Sequence, residues 1–156
     1  WINYESDDFS RKISSKGIIK TKKIGLLLKK KGIFFNEILC SPSVRTKQTM
    51  EIILTYLDST PPISYLDELY HISNKDIFDT VMLYAKIKNI LVISHEPLLS
   101  TSIESFFYGV DNSNFDRAVE KFSTSSFFNV SFNCENWPEI GRSVAEINFF
   151  VRPNDL

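Results

Sequence analysis

Cysteine and long apolar runs are both scarce in this chain, and their scarcity excludes several classes of protein. Only two cysteines, Cys40 and Cys134, occur in 156 residues. They are too few and too far apart to indicate a disulfide framework or a metal site, so two reduced, inert thiols are expected. No run of eighteen or more apolar residues is present, so no membrane-spanning helix is predicted. No secretory signal is visible, and a cytoplasmic location is the default expectation.

The chain also lacks an excess of charge of either sign. Lysine and arginine together number 18, aspartate and glutamate number 19, and the formal net charge is -1 at pH 7. No global field therefore favours nucleic acid or an anionic membrane as a partner. The lysines concentrated within residues 16–31 are better interpreted as the solvated face of a helix than as a nucleic-acid surface.

Apolar and aromatic residues, in contrast, are plentiful. Hydrophobic residues make up 43% of the chain and aromatic residues 13%, a composition typical of a globular domain with a substantial core. The length suits one domain, and no repeat or low-complexity tract divides it. A single domain covering residues 1–156 is therefore predicted.

Short apolar runs alternate with amphipathic segments along the chain. The predicted strands cover residues 38–40, 63–66, 90–93, 126–132 and 144–151. The predicted helices run from Ser14 or Ser15 to about Lys31 before Gly32, from Pro42 to about Leu57, from a Ser73 cap to about Lys86, and from Pro97 to about Phe107. Residues 1–13 are expected to be irregular, and residues 109–121 to be loop and broken helix. Strands that alternate with helices predict an α/β protein of three layers, α/β/α, with a mostly parallel sheet.

Two segments carry groups suited to binding an anion. Ser41-Pro42-x-x-Arg45-x-x-Gln48-Thr49 directly follows the strand that ends at Cys40, and His95 follows the strand that ends at Ile93. Because ligands of an open parallel sheet bind at its carboxyl edge, Arg45 and His95 are expected to converge on one crevice. A guanidinium fork and an imidazole together suit a phosphoryl group.

In this order, the two segments resemble the histidine phosphatase superfamily, and within it the small SixA-type phosphohistidine phosphatases. The resemblance implies a phosphoglycerate mutase-like fold and a phosphatase that acts through a phosphohistidine intermediate, without metal or organic cofactor. It implies that Arg45 and His95 bind the phosphoryl group and stabilise its charge during transfer. The implied partner is a phosphorylated protein, such as a phosphotransfer domain, or a small phosphorylated compound, rather than nucleic acid or membrane.

The resemblance extends to two further candidates, each with an open alternative. Arg11, in Asp8-Phe9-x-Arg11, either reaches the phosphoryl pocket or is a surface arginine paired with Asp7 or Asp8. Glu68, in the stretch from Asp67 to His71, is either the general acid or part of a solvated acidic loop. An acid is less necessary for phosphohistidine, because its imidazole leaving group can depart already protonated. His71 itself is expected to be structural or at the rim.

Two departures from the family pattern are also present. Glu96 stands where many SixA-type relatives have asparagine, and its carboxylate is expected to point outward. The Arg-His pair that carries the family's nucleophile is absent from the sequence, and no apolar strand precedes Trp1. The expectation is that the chain begins just after its own first strand and itself lacks the nucleophile. The alternative is a non-catalytic phosphate-binding or scaffold protein.

Overall fold

The computed structural model describes residues 4–70 and 74–156, so the predictions for His71 and for a Ser73 cap lie outside the described residues. Its helices are α1 (Tyr4–Ser10), α2 (Ser15–Lys30), α3 (Val44–Leu54), α4 (Ile77–Tyr84), α5 (Leu98–Phe106) and α6 (Ser113–Glu120). Its strands are β1 (Glu37–Cys40), β2 (Ile63–Tyr65), β3 (Ile90–Ile93), β4 (Phe127–Phe132) and β5 (Ala145–Val151). Each of the five predicted strands is present, with bounds that differ by one residue at most.

The strands form a parallel sheet and an antiparallel pair. The parallel sheet has the order β2-β1-β3, and Cys40 at the end of β1 lies opposite Ile93 at the end of β3. Strands β4 and β5 pair antiparallel, with a register shift near Asn129. Parallel strands need crossover connections, and α3 and α4 lie between the strands as those crossovers require.

Alternation of side chains along β1 produces the layered core. Ile38 and Cys40 face one apolar cluster, which includes Ile24 and Leu28 of α2. Leu39 faces the opposite cluster, which includes residues of α4 and α5 such as Val81 and Ile103. Successive residues of a strand point to opposite faces, so a four-residue strand buried on both sides separates two helical layers. The predicted α/β/α architecture is confirmed.

Helix α2 follows its sequence signals closely. The Ser14 side chain accepts a hydrogen bond from the Gly17 N–H at 3.1 Å and so satisfies one of the free amides of the first turn. The chain leaves the helix through Gly32, whose φ of 63° is the left-handed conformation that glycine adopts without strain. The predicted bounds are thus correct to within a residue.

Three helix predictions are wrong. Residues 1–13 are not irregular throughout, because α1 forms where Arg45 of α3 contacts the helix at Asp8. Residues 109–121 contain the regular helix α6, for which Asn112 is the cap and accepts from two backbone N–H groups. Helix α4 begins only at Ile77, since Asp76 forms a reciprocal capping box with Asp79.

A cleft lies between the two sheets. Within residues 4–70 and 74–156, β3 pairs only with β1 and β4 only with β5, so the edges of β3 and β4 face the cleft without strand partners. The cleft has a volume of about 1400 Å³, and apolar residues such as Ile24 and Phe78 form its walls. Arg45 and His95 line it as well, so the cleft is continuous with the carboxyl edge of the sheet.

Neither cysteine forms a disulfide. Burial raises the pKa of the Cys40 thiol to about 12, which makes this thiol unreactive at neutral pH. Among the residues that the structure describes, no cluster of three or more histidine, cysteine, aspartate or glutamate side chains could hold a metal ion. No described helix is long and apolar enough to cross a lipid bilayer.

Candidate active site

The loop after β1 and the loop after β3 meet at the carboxyl edge of the parallel sheet. The Ser41 N–H donates to the Ile93 carbonyl at 2.9 Å, which continues the pairing of the two strands by one residue. The Ser41 Oγ lies 2.7 Å from His95 Nε2, and the Ser43 Oγ lies 3.3 Å from the same nitrogen. Two residues separated by 54 positions in the sequence are therefore joined by a short hydrogen bond at the sheet edge.

Arg45 occupies the first turn of α3. The helix begins at Val44 with Ser43 as its cap, two residues later than the position of Pro42 predicted. The Arg45 side chain is partly buried, with 21% of its surface exposed. Its Nη1 donates to the Asp8 carbonyl at 2.6 Å and its Nη2 to Asp8 Oδ2 at 2.9 Å. Arg45 thereby ties α3 to α1.

Three side chains contact the Asp8 carboxylate. Besides Arg45, Arg11 Nη2 lies 3.1 Å from Asp8 Oδ1, and the Tyr70 hydroxyl donates to Oδ2 at 3.3 Å. Burial opposes ionisation of this carboxyl, but the hydrogen bond and charge of Arg45, with help from Arg11 and Tyr70, lower its pKa below the ordinary value. Arg11 therefore forms the surface ion pair with Asp8 that the sequence allowed, and through Asp8 it is also joined to Arg45.

His95 is uncharged at neutral pH. Burial is the largest cause, and the charges of Arg45 and Arg11 add to it, while Asp8 acts in the opposite direction. Together they lower the pKa of His95 from 6.5 to about 4. The ring of Tyr70 packs edge-on against the imidazole, with 5.5 Å between ring centroids. The imidazole is thus held between Tyr70 and the two serine hydroxyls.

Glu68 lies in a short 3-10 turn, Asp67–Leu69, and is paired with a different partner. The Tyr84 hydroxyl donates to its Oε1 at 2.5 Å. This hydrogen bond is the main cause of a lowered pKa for Glu68, which works against proton donation near neutral pH. Within the described residues, no hydrogen bond or ion pair joins Glu68 to Arg45 or His95. Its role as general acid stays a prediction.

Glu96 has its hydrogen-bond partner in α5, and its expected outward direction stays a prediction. Its carboxylate is exposed and accepts hydrogen bonds from the N–H and the hydroxyl of Ser100 in the first turn of α5. Sequence reasoning missed the site contacts of Asp8 and Tyr70. The three-residue spacing of Asp8 and Arg11 indicates an ion pair between these two residues. No local sequence pattern connects Asp8 or Tyr70 with Arg45.

No family model and no curated protein matches the sequence. Solved structures do match the fold. One is the protein histidine phosphatase SixA complexed with tungstate, with a TM-score of 0.72, 21% sequence identity, and 95% of this chain and 88% of that chain covered. Two others are assigned as phosphohistidine phosphatases SixA. They come from Nakamurella multipartitia, with 94% of this chain and 87% of that chain covered, and from Agrobacterium tumefaciens, with 94% and 86% covered. Both have a TM-score of 0.72 and 19% identity.

These matches cover nearly the whole chain, so they concern the complete arrangement of helices and strands rather than one motif. The protein is an α/β protein with two loops that converge at the carboxyl edge of a parallel sheet. More specifically, it has the fold of the SixA-type histidine phosphatases.

Proposed function

We propose that this chain binds a phosphoryl group at Arg45, Arg11 and His95 and serves the hydrolysis of phosphohistidine. The observation that carries the proposal is the convergence of Arg45, Arg11 and the Tyr70 hydroxyl on the single carboxylate of Asp8, next to His95. Donors that hold one anion in this way are suited to hold another.

A phosphoryl group suits these donors better than a carboxylate does. It offers three oxygens and up to two negative charges, and the Arg45 guanidinium can bind two of those oxygens at once. The first turn of α3 adds backbone amides and the positive end of the helix dipole. In the transition state of phosphoryl transfer, charge spreads over the same oxygens, so fixed donors at this position lower the barrier.

The proposed substrate is a phosphohistidine on a partner protein, such as a phosphotransfer domain. The SixA structures are described as a protein histidine phosphatase and as phosphohistidine phosphatases, which supports a phosphohistidine carried by a protein as the substrate. A small phosphorylated compound is the second substrate class. We also propose a cytoplasmic location, which the two unpaired thiols support.

The nucleophile in this proposal is a histidine carried by an extended segment in the cleft between β3 and β4. Attack on phosphorus must come in line with the leaving group, whereas His95 is proposed to flank the transferring group. The edges of β3 and β4, which have no strand partner in the part of the chain that the structure describes, could both bond to a strand. A residue at the carboxyl end of a strand parallel to β3 would lie beside Arg45 and His95. Without such a histidine, the site binds phosphate without turnover, which is the non-catalytic alternative.

Phosphate binding is the direct test, because it requires no nucleophile. Isothermal titration of the 156-residue chain with inorganic phosphate should give measurable heat, and Arg45→Ala should weaken binding by roughly 10- to 100-fold, since a charged two-point contact is lost. The affinity of Arg45→Lys for phosphate should lie between those of the wild type and Arg45→Ala, because lysine keeps the charge but cannot make the two-point contact of a guanidinium.

Arg142→Ala is the matched control, since it removes the same charge from a residue that contacts the carbonyl of Tyr108. It should leave phosphate binding unchanged. Equal affinity of the wild type and Arg45→Ala for phosphate would contradict the proposed function.

A further inference from the structure

Three hydroxyl groups and one imidazole form a connected network behind the proposed phosphoryl site. Ser41, Ser43 and Thr46 are all buried, and each is within hydrogen-bond distance of another member or of His95. A buried hydroxyl must donate its proton to some acceptor, because an unsatisfied donor in the interior is costly. The acceptors present therefore limit the directions that these hydrogen bonds can take.

The Thr46 hydroxyl has two backbone carbonyls as acceptors. The Thr46 hydroxyl donates to the Ser41 carbonyl at 2.8 Å and the Ser43 carbonyl at 3.0 Å, and these carbonyls can only accept. With its proton so directed, Thr46 Oγ1 accepts from the Ser43 hydroxyl at 2.9 Å. Thr46 Oγ1 is then the nearer acceptor for the Ser43 proton, and the 3.3 Å contact of Ser43 with His95 Nε2 is the longer and weaker of its two contacts.

Ser41 has a different acceptor. Its side chain is fully buried, and within the described part of the chain the one hydrogen-bond partner of its hydroxyl is His95 Nε2 at 2.7 Å. If Nε2 carried a proton, the Ser41 proton would have no acceptor there. Nε2 must therefore be the unprotonated, accepting nitrogen of a neutral imidazole.

The other ring nitrogen then carries the proton. Among the described residues, no side chain or backbone group bonds to His95 Nδ1, and no buried side-chain nitrogen or oxygen is left without a partner. Nδ1 is therefore reached by solvent rather than enclosed. The imidazole lies beside the donors that converge on Asp8, so an N–H at Nδ1 is available to an anion that binds there.

We propose that Ser41 is a positioning residue that holds His95 in the tautomer protonated at Nδ1, so that a neutral imidazole offers an N–H donor to the phosphoryl oxygens. The assignment of that donor to a phosphoryl group depends on the proposed function, whereas the tautomer itself does not. No proton is transferred in the resting site: Ser41 donates to Nε2, and Nδ1–H stays available for the incoming anion.

The tautomer can be measured without any ligand. Nitrogen-15 NMR of the labelled chain at pH 7 distinguishes a protonated ring nitrogen from an unprotonated one through its two-bond couplings to the ring protons. The chain has two histidines, so the signals lost in a His95→Asn variant identify His95. The expected result is a protonated Nδ1 and an unprotonated Nε2. A protonated Nε2 in the wild type would overturn the proposal, even if Ser41→Ala fails to fold.

Two variants separate the role of Ser41 from general packing. Ser41→Ala removes the donor to Nε2, so the signals should shift toward the Nε2-protonated form that free histidine prefers. Ser43→Ala is the matched control, since the Ser43 hydroxyl has a nearer acceptor in Thr46 Oγ1 at 2.9 Å than in His95 Nε2 at 3.3 Å, and the tautomer should not change. An unchanged tautomer in Ser41→Ala, or an equal change in both variants, would contradict the assignment.

Titration with inorganic phosphate adds the functional readout. Ser41→Ala should raise the dissociation constant about five- to tenfold, the effect of one misdirected hydrogen bond, and should have no further effect in a His95→Ala background. If the wild type fails to bind phosphate, the proposed function is wrong while the tautomer result stands. If the wild type binds phosphate and Ser41→Ala binds it equally well, the positioning role is wrong.

Discussion

At the scale of single residues, the site already contains an anion of its own. Asp8 lies between Arg45 and Arg11, and its carboxylate uses the donors that we propose for a phosphoryl group. The pKa of Asp8 is lowered, so it is ionised at neutral pH and competes for the two guanidinium groups. Binding of phosphate therefore requires Asp8 to give up these contacts.

Neutralising this carboxylate should strengthen phosphate binding. Asp8→Asn keeps the size of the side chain but removes the charge that holds both arginines, so the dissociation constant for inorganic phosphate should fall several-fold, about the effect of 1 kcal/mol. Asp7→Asn is the control, because it makes the same change of charge at the adjacent, exposed residue. Weaker binding in Asp8→Asn than in Asp7→Asn would mean that Asp8 orients the arginines rather than competes with the ligand.

His95 should make the folded protein sensitive to mild acid. Its folded-state pKa of about 4 lies below the ordinary 6.5, so below pH 6.5 the unfolded chain takes up a proton that the folded chain does not. The contribution of the neutral His95 imidazole to folding stability is therefore complete above pH 6.5 and is lost progressively as the pH falls toward 4.

Thermal unfolding at pH 7 and at pH 5 measures this effect. The wild type should lose more of its Tm between the two values than His95→Gln, which has no proton to gain at this position. Carboxyl groups titrate in both proteins, so the relevant quantity is the difference between the Tm loss of the wild type and the Tm loss of His95→Gln. The same loss in both proteins would argue against a neutral, buried His95.

At the scale of secondary-structure elements, the contact between α2 and the segment after α3 depends on a glycine. A Cβ added at Gly25 would lie 2.3 Å from Tyr56 Cδ2 and 2.8 Å from Tyr56 Cγ. Both atoms belong to the inner part of the ring, so a small shift of the side-chain tip would not relieve the overlap. The two elements can approach this closely only because residue 25 has no side chain.

Gly25→Ala should therefore destabilise the protein although alanine is the better helix former. The gain in helix propensity is roughly 1 kcal/mol, whereas overpacking costs roughly 1–3 kcal/mol. A net loss of about 1 kcal/mol would lower Tm by roughly 3 °C. In a Tyr56→Ala background the overlap is gone, and Gly25→Ala should become neutral or stabilising. A loss of the same size in both backgrounds would show that the Tyr56 contact is not the cause.

At the scale of the whole molecule, the cleft between the two sheets connects the stability of the fold with the proposed phosphoryl site. The edges of β3 and β4 that line it have no strand partner within the described residues, and its apolar walls come from both helical layers. A strand bound there would pair with both edges and bury its own apolar side chains. Its carboxyl end would reach the loops that hold Arg45 and His95.

The 156-residue chain should bind phosphate without phosphatase turnover, and an added strand should change this. In a version extended ahead of Trp1 by about six apolar residues and Arg-His, a typical strand length, Tm and hydrolysis of a phosphohistidine substrate should rise together. Phosphate on the new histidine during turnover would be stable to base and labile to acid.

Replacing the new histidine by asparagine is the control, and it should keep the gain in Tm while abolishing turnover. Robust hydrolysis by the 156 residues alone, abolished by His95→Asn, would make His95 the nucleophile and refute this mechanism.

The sequence by itself determined the parts of this protein that depend on neighbouring residues. The five strands follow from short apolar runs, α2 follows from its Ser14 cap and Gly32 stop, and the two loop segments after β1 and β3 could be assigned to one sheet edge. These features are local, because caps, turns and apolar runs act within a few residues of the chain.

Only the tertiary structure decided how the site is connected. Asp8 meets Arg45 across 37 positions and Ser41 meets His95 across 54, and no periodicity or cap signals such contacts. The helix α1, the pairing of Glu68 with Tyr84 and the cleft between the sheets likewise depend on the packing of distant segments. The physical reason is that the direction of a hydrogen bond, and the pKa that follows from it, are set by the groups brought together on folding rather than by their neighbours in the chain.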